Sequence, residues 1–241
     1  IPDGKKTESD PFETLYLDEN VKNQPAAALQ LVAKEIFRMS DQVRDILEKT
    51  IELVKNEEVK SIDGLKENGE QVERLGKCIT EYLAALFSSG SLTEQQAAQT
   101  ASLMCVLSDV ERMGTLSVEM AECMLERSDR KYKYTPEAMD ELQKSLKVLN
   151  KMFCDSLKAL QGDDGIEPGK MMKRKDKLLD LDIKMRKAHI ERVNKGKCKA
   201  SLTAPFTNIL HLIDRMGNSC INLADVAESG TSMKYFMLEN K

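Results

Sequence analysis

Asp109-Val-Glu-Arg-Met-Gly-Thr115 has an echo further along the chain, Ile213-Asp-Arg-Met-Gly-Asn218. Glu111-Arg112-Met113-Gly114-Thr115 superposes on Asp214-Arg215-Met216-Gly217-Asn218 at an offset of 103 residues. The match continues outward: Val110 with Ile213, Val118 with Ile221, Met120 with Leu223, Ala121 with Ala224 and Glu122 with Asp225. Each copy sits inside a long helical apolar pattern. A motif repeated in the same context marks an internal duplication, so each half of the chain is expected to be one structural unit.

The apolar spacing places the helices. Residues 1–23 are polar, carry Pro2, Gly4 and Pro11, and read as a linker or arm in which Phe12–Leu17 packs down. A first helix starts near Pro25, where a missing N–H costs nothing, and runs to about Asn56. Its seam is Leu29, Val32, Ile36, Met39, Val43, Ile46, Thr50 and Leu53, in steps of three and four. Ser61–Gly64 and Asn68-Gly69 break the pattern, and a second helix resumes at Val72. Gly90 ends that helix in a left-handed conformation. Thr93 and Gln96 form a capping box for a third. The third seam is Leu103, Leu107, Val110, Gly114, Ser117, Ala121 and Met124. Thr135-Pro136 opens a fourth helix and Gly162–Gly165 closes it. A fifth begins near Pro168 and ends at Lys195–Cys198. A sixth carries the second motif as far as Ser229-Gly230, and Met233–Leu238 forms a short helix or docked tail. The expected fold is all-α. An arm (1–23) precedes a three-helix repeat (24–131) and a second one (132–241), both up-and-down bundles with the motif on the third helix.

Composition agrees. Of 241 residues, 32% are charged and 41% hydrophobic, with no Trp and 12 Gly, a mixture that suits long helices. The net charge of −4 argues against general nucleic-acid binding. The six Cys are dispersed, without a C-x-x-C pair, and read as cytosolic thiols. No apolar run approaches the roughly 18 residues needed to cross a bilayer. Two histidines, with no phosphate loop, nucleophile elbow or H-E-x-x-H, speak against an enzyme.

Two chemistries suit the motif. Residues four and seven apart share a helix face, so Ser108, Glu111, Thr115, Val118 and Glu122 line up, as do His211, Asp214, Asn218, Ile221 and Asp225. Oxygen and imidazole groups one turn apart are candidate ligands for a hard or borderline cation, with His211 and Asp214 the best local pair. The plainer reading is a solvated acidic face, with Arg112 and Arg215 reaching acids on neighbouring helices. Gly114 and Gly217, at the same place in both repeats, suggest a close backbone crossing, since glycine inside a helix costs roughly 1 kcal/mol against alanine. Met113 and Met216 are then ordinary core.

The repeated polar-Arg-Met-Gly-polar pattern resembles the Glu-Arg-Ile-Gly-Asp signature of the PhoU family, and Ala121-Glu122 and Ala224-Asp225 fit that family's Ala-Glu continuation. The resemblance covers almost the whole chain and implies a regulatory role in phosphate uptake, without catalysis. It also implies a multinuclear iron- or zinc-type metal cluster held by acidic-x-x-x-Asp motifs. Glu111 and Asp214 match the first acid; Thr115 and Asn218 replace the second, and each replacement loses a charge and a strong ligand, which speaks against a family-type cluster. For a single divalent, iron- or zinc-type ion the candidates are Glu111, Asp214, Asn218, His211 and Asp225, the second repeat being the better site because Asn218 can donate an oxygen and His211 sits one turn away. The lead-in Asn23-Gln-Pro-Ala-Ala-Ala-Leu29, followed by Glu35-Ile-Phe-Arg-Met39, resembles the start of the PhoU-like cytoplasmic tail of bacterial type II-related sodium/phosphate cotransporters. On that resemblance the chain is expected to lie on the cytoplasmic side of the cell membrane, with its own transmembrane transporter domain upstream of Ile1. The rivals are a free-standing PhoU-type regulator of a phosphate ABC transporter and its sensor kinase, and a soluble metal-binding helical protein.

Residues 170–199 hold twelve Lys or Arg against four Asp or Glu. Such a run is commonly the wet face of a helix; the functional alternative is attraction to an anionic membrane surface. His189 lies in this helix beside the seam and is expected to be structural. A homodimer through the outer faces is the remaining partner expectation.

Overall fold

The computed structural model describes residues 14–55, 60–128, 133–162 and 169–229. Six helices carry the described chain: α1 (Pro25–Lys55), α2 (Asp63–Ser88), α3 (Glu94–Ser128), α4 (Pro136–Leu160), α5 (Lys170–Asn194) and α6 (Thr203–Glu228). Short 3-10 turns precede α1 (Glu19–Val21) and α6 (Ala200–Leu202). No strand occurs among the described residues. The predicted Met233–Leu238 element and the Phe12 end of the predicted arm segment lie outside them.

The helix ends follow local chemistry. Pro25 is the first residue of α1. Thr93 Oγ1 accepts from the Gln96 amide and Gln96 Oε1 accepts from the Thr93 amide, closing the capping box at α3. Thr135 Oγ1 accepts from the Ala138 amide at the start of α4, with Pro136 next to it. After α2, Gly90 takes a φ of +66°, a left-handed conformation that suits glycine. One expectation is corrected: α2 does not wait for Val72 but starts at Asp63 and runs straight through Asn68 and Gly69. Gly69 is tolerated there because α3 comes close; a Cβ at Gly69 would lie 2.9 Å from Val118 Cγ2. What reads as a turn dipeptide is a packing notch.

Packing explains the order. Among the described residues, α1, α3, α4 and α6 form the centre, α2 packs chiefly on α1 and α3, and α5 chiefly on α4 and α6. The α1 seam residues Leu29, Val32, Ile36, Met39, Val43, Ile46 and Thr50 are all 0% exposed. Each such aliphatic side chain contributes about 1.5–3 kcal/mol when fully buried. α3 buries more than one face because α1 and α2 lie on one side and α6 on another. Two buried hydroxyls are spent on carbonyls: Ser117 Oγ donates to the Met113 carbonyl within α3, and Thr50 Oγ1 of α1 donates to the Ser117 carbonyl, joining α1 to α3. α3 and α6 run antiparallel, since Asp109 pairs with Asn222 (3.2 Å) and Cys123 with Asn208 (3.3 Å). Two short triplets, up-down-up and its inverse, therefore meet across their motif helices. Ion pairs tie α5 to α4, through Arg174–Asp155 and Arg192–Glu141.

Candidate functional site

The two motif copies face opposite flanks of the molecule. In the first repeat the α3 motif lies against α2. A Cβ on Gly76 would come 3.1 Å from the Glu111 carboxyl carbon, so the carboxyl sits on the bare backbone of α2. Burial, aided by the charge of Glu73, raises the Glu111 pKa above the ordinary carboxylate value. Beside it runs an open groove of about 490 Å³ lined by Lys66, Glu70, Glu73, Thr115, Val118, Glu119 and Glu122. Lys66 Nζ lies 2.8 Å from the Glu122 carboxylate and neutralises part of that acidic wall. Thr115 turns its hydroxyl back to the Glu111 carbonyl at 3.2 Å, away from any ligand role.

In the second repeat the equivalent surface faces α5 and is built differently. Lys175 Nζ lies 2.6 Å from Asp214 Oδ1 and 3.0 Å from the Asp214 carbonyl. The Lys175 side chain is 17% exposed, so this ammonium is held inward rather than waving in water. Asn218 Nδ2 lies 3.5 Å from Asp214 Oδ2, a turn further along the exposed face of α6. His211 and Asp225 are exposed. The offset of 103 residues that relates the motifs also relates Val72 to Lys175, and the structure agrees: a Cβ on Gly114 would touch Val72, and one on Gly217 would touch Lys175. Where the first repeat places a valine, the second carries its own cation.

These arrangements decide the chemistry of the candidate residues. Among the described residues, no three His, Cys, Asp or Glu side chains gather as metal ligands. Glu111 and Asp214 do not converge, because one faces α2 and the other α5. Asp214 is already compensated by Lys175. The donor set is a poor fit for the multinuclear cluster that the resemblance implies. Gly114 and Gly217 are sites of close approach, but to side chains and not to backbone: Val43 Cγ2 at 3.3 Å for the first, Leu178 Cδ1 at 3.1 Å for the second. Arg215 reaches Glu119 on α3 at 3.9 Å, as the sequence suggests; Arg112 is exposed and makes no ion pair among the described residues.

Three placements were not foreseen from sequence. Lys175 is one, and its only signal is the Val72 comparison. The second is Glu35, 0% exposed on α1. Its carboxylate accepts from the Leu15 amide (3.0 Å), the Tyr16 amide (2.8 Å) and Arg38 Nε (2.7 Å), fixing the arm to the bundle. Tyr82 on α2 donates its hydroxyl to the Asp18 carbonyl at 2.8 Å and holds the arm from the other side. In sequence Glu35 pairs with Arg38 one turn on, so nothing local to α1 signals the anchor. The third is a ring cluster at one end of the second repeat. His189 stacks on Phe206 at 4.7 Å, Tyr134 meets Phe206 edge-on at 5.3 Å, and His189 Nε2 lies 3.1 Å from Thr203 Oγ1. Burial, then Arg192, lowers the His189 pKa. The structural role expected of His189 is what this geometry shows.

Comparison with known proteins places this architecture. Residues 36–124, which span most of the first repeat, match the PhoU domain. The chain is 24% identical over 209 residues to the phosphate-specific transport system accessory protein PhoU homolog 1 of Thermotoga maritima, a similarity covering 86% of this chain and 88% of that protein. The fold resembles the crystal structure of PhoU from Pseudomonas aeruginosa, with a TM-score of 0.74 at 13% identity, over 81% of this chain and 93% of that one. At that identity the likeness establishes the shared fold.

Proposed function

We propose that this chain is a PhoU-type regulator of phosphate transport: a free-standing protein that works by contact with a phosphate ABC transporter and its sensor kinase. The observation that carries this reading is the near end-to-end similarity to an accessory protein of a phosphate-specific transport system. The site chemistry is compatible. The histidines do not meet, one being packed against Phe206 and the other exposed. The motif carboxylates are set against glycine backbone in one repeat and against a lysine in the other. Such groups shape surfaces; they are not arranged as an acid and a base around a shared substrate. In a strain lacking the gene, uptake of labelled phosphate should lose its dependence on external phosphate, and restoring the chain should bring it back. Uptake and transporter expression identical to the parent strain would refute the proposal.

A second reading has one observation in its favour. The stretch resembling the tail of a sodium/phosphate cotransporter includes Glu35, and Glu35 grips the arm that leads into the bundle. An anchored lead-in is what a domain at the cytoplasmic face would need to pass a displacement to a preceding transporter. Reading the frame upstream of Ile1 separates the two. Several segments able to span a bilayer would support the tail, and a start codon a few residues upstream would support the free regulator.

A further inference from the structure

Seven large hydrophobic side chains stand out as exposed among the described residues, and four of them are on α5: Met172, Leu179, Ile183 and Ile190. Their spacing is seven, four and seven residues. On a helix of 3.6 residues per turn that spacing draws a single line, about 27 Å long. Each of the four is more than half exposed, at 52%, 52%, 57% and 57%. The line is separate from the core-facing side of α5, which buries Met171, Leu178, Met185 and His189. An apolar seam that the fold leaves bare is unusual on an outer helix and marks an interaction face.

The charges around the line say what it faces. α5 carries nine Lys or Arg against four Asp or Glu. The acids are largely committed within the chain or helix: Asp180 to Lys184, Asp182 to Arg186, and Glu191 to Lys195. Asp176, at the edge of the line, is the acid without an ion pair among the described residues. Lys173, Lys177 and Lys187, on the solvent side of the line, likewise make none among the described residues. In the groove between α4 and α5, Lys147, Lys151 and Lys177 stand around Val148 and Leu181, beside Lys144 and Arg174, which pair with Asp140 and Asp155, so the cationic surface extends from α5 onto α4. Two copies pressed together through this face would set lysines against lysines. A surface that is anionic and apolar beneath its charges satisfies both features.

We propose that α5 is a membrane-surface helix: Met172, Leu179, Ile183 and Ile190 enter the acyl boundary of an anionic lipid bilayer while Lys173, Lys177 and Lys187 meet its headgroups. No helix among the described residues is long and apolar enough to cross a membrane, so α5 lies in the interface plane. Apolar burial sets how long the protein stays, and each headgroup-facing lysine adds about fivefold to affinity at moderate salt. The proposal does not depend on which transport system the protein regulates.

The test is co-flotation of the whole protein with vesicles of phosphatidylcholine alone or with about one third phosphatidylglycerol. Binding should appear with the anionic vesicles and weaken at high salt. Leu179→Ser with Ile183→Ser should reduce it at least tenfold, with helicity and sedimentation unchanged. Lys173→Gln, Lys177→Gln and Lys187→Gln together should reduce it by about a hundredfold. Three results would overturn the proposal: equal or no binding to both vesicle types; anionic binding untouched by the serine pair; or a concentration-dependent dimer that the serine pair dissolves, which would assign the face to a second copy. A fourth is vesicle binding seen only after removal of residues 230–241, which would place the chain's own C-terminal segment on the line.

Discussion

Replacing Glu35 by Ala tests whether the arm is bolted to the bundle or merely rests on it. The carboxylate is fully buried and accepts two backbone amides and the Arg38 guanidinium. A hydrogen bond to a charged group contributes about 1.5–3 kcal/mol. The full sum is not lost, because Leu15 and Tyr16 are already 55% and 41% exposed and their amides recover water when the arm lifts. Arg38, whose side chain is 16% exposed, can also turn outward. Removing the carboxylate in addition removes its own desolvation cost. The net loss should be about 2 kcal/mol. Glu35→Gln keeps one oxygen for the two amides but sets an NH2 group against Arg38, and should cost about 1 kcal/mol. Urea unfolding measures the totals. Amide exchange by NMR locates them: the Leu15 and Tyr16 amides should exchange at least tenfold faster in the Ala variant. A chain starting at Asp18 supplies the control, because Glu35→Ala should cost far less there. An equal cost in both chains, or unchanged protection at Leu15 and Tyr16, would refute the anchoring argument.

Other substitutions have definite signs. Gly69→Ala should destabilise by about 1 kcal/mol, because the new Cβ meets the stiff Val118 at 2.9 Å, whereas Gly64→Ala, with nothing within 4 Å, should stabilise by about 0.5 kcal/mol; urea midpoints moving in the same direction would contradict the packing account. Arg174→Met leaves the Asp155 carboxylate, 13% exposed, without its partner and should cost about 3 kcal/mol, while the double change with Asp155→Leu should cost less than half as much; a double variant as unstable as the single would show the pair is not the cause. Because burial lowers the His189 pKa, the unfolded chain takes up the proton more readily. Its contribution is therefore complete above the ordinary histidine value of about 6.5 and is lost as pH falls through the lower folded value. His189→Gln should flatten the fall in stability between about pH 7 and pH 5, and an unaltered slope would remove His189 as the source.

Much of this architecture is legible because it is local. Thr93 with Gln96, Thr135 with Pro136, and the seam from Leu29 to Thr50 each announce themselves within a few residues, and the duplicated motif pairs the halves. Legibility fails where a second helix supplies the answer. Asn68-Gly69 reads as a turn until Val118 arrives from α3 to fill the notch. His211 and Asp214 look like a ligand pair on one helix, yet Asp214 is claimed by Lys175, 39 residues earlier in sequence. Glu35 looks like an ordinary charge until the arm folds back over 20 residues to reach it. The basic run of α5 was visible as charge, but not the bare apolar line, because only the fold shows which of its hydrophobic residues are buried.

The two outer helices give the molecule an electrical polarity. α2 has five Asp or Glu against three Lys or Arg, while α5 has nine Lys or Arg against four Asp or Glu, and the central four helices hold them on opposite flanks. A body charged in this way feels a torque near an anionic boundary before it touches it. Screening at physiological ionic strength limits that torque to about 8 Å of the boundary, so it acts during the last layers of solvent, turning the positive flank inward and shortening the rotational search. Capture and retention are then governed by different physics: salt should slow arrival steeply, while departure should respond more to the apolar side chains than to salt.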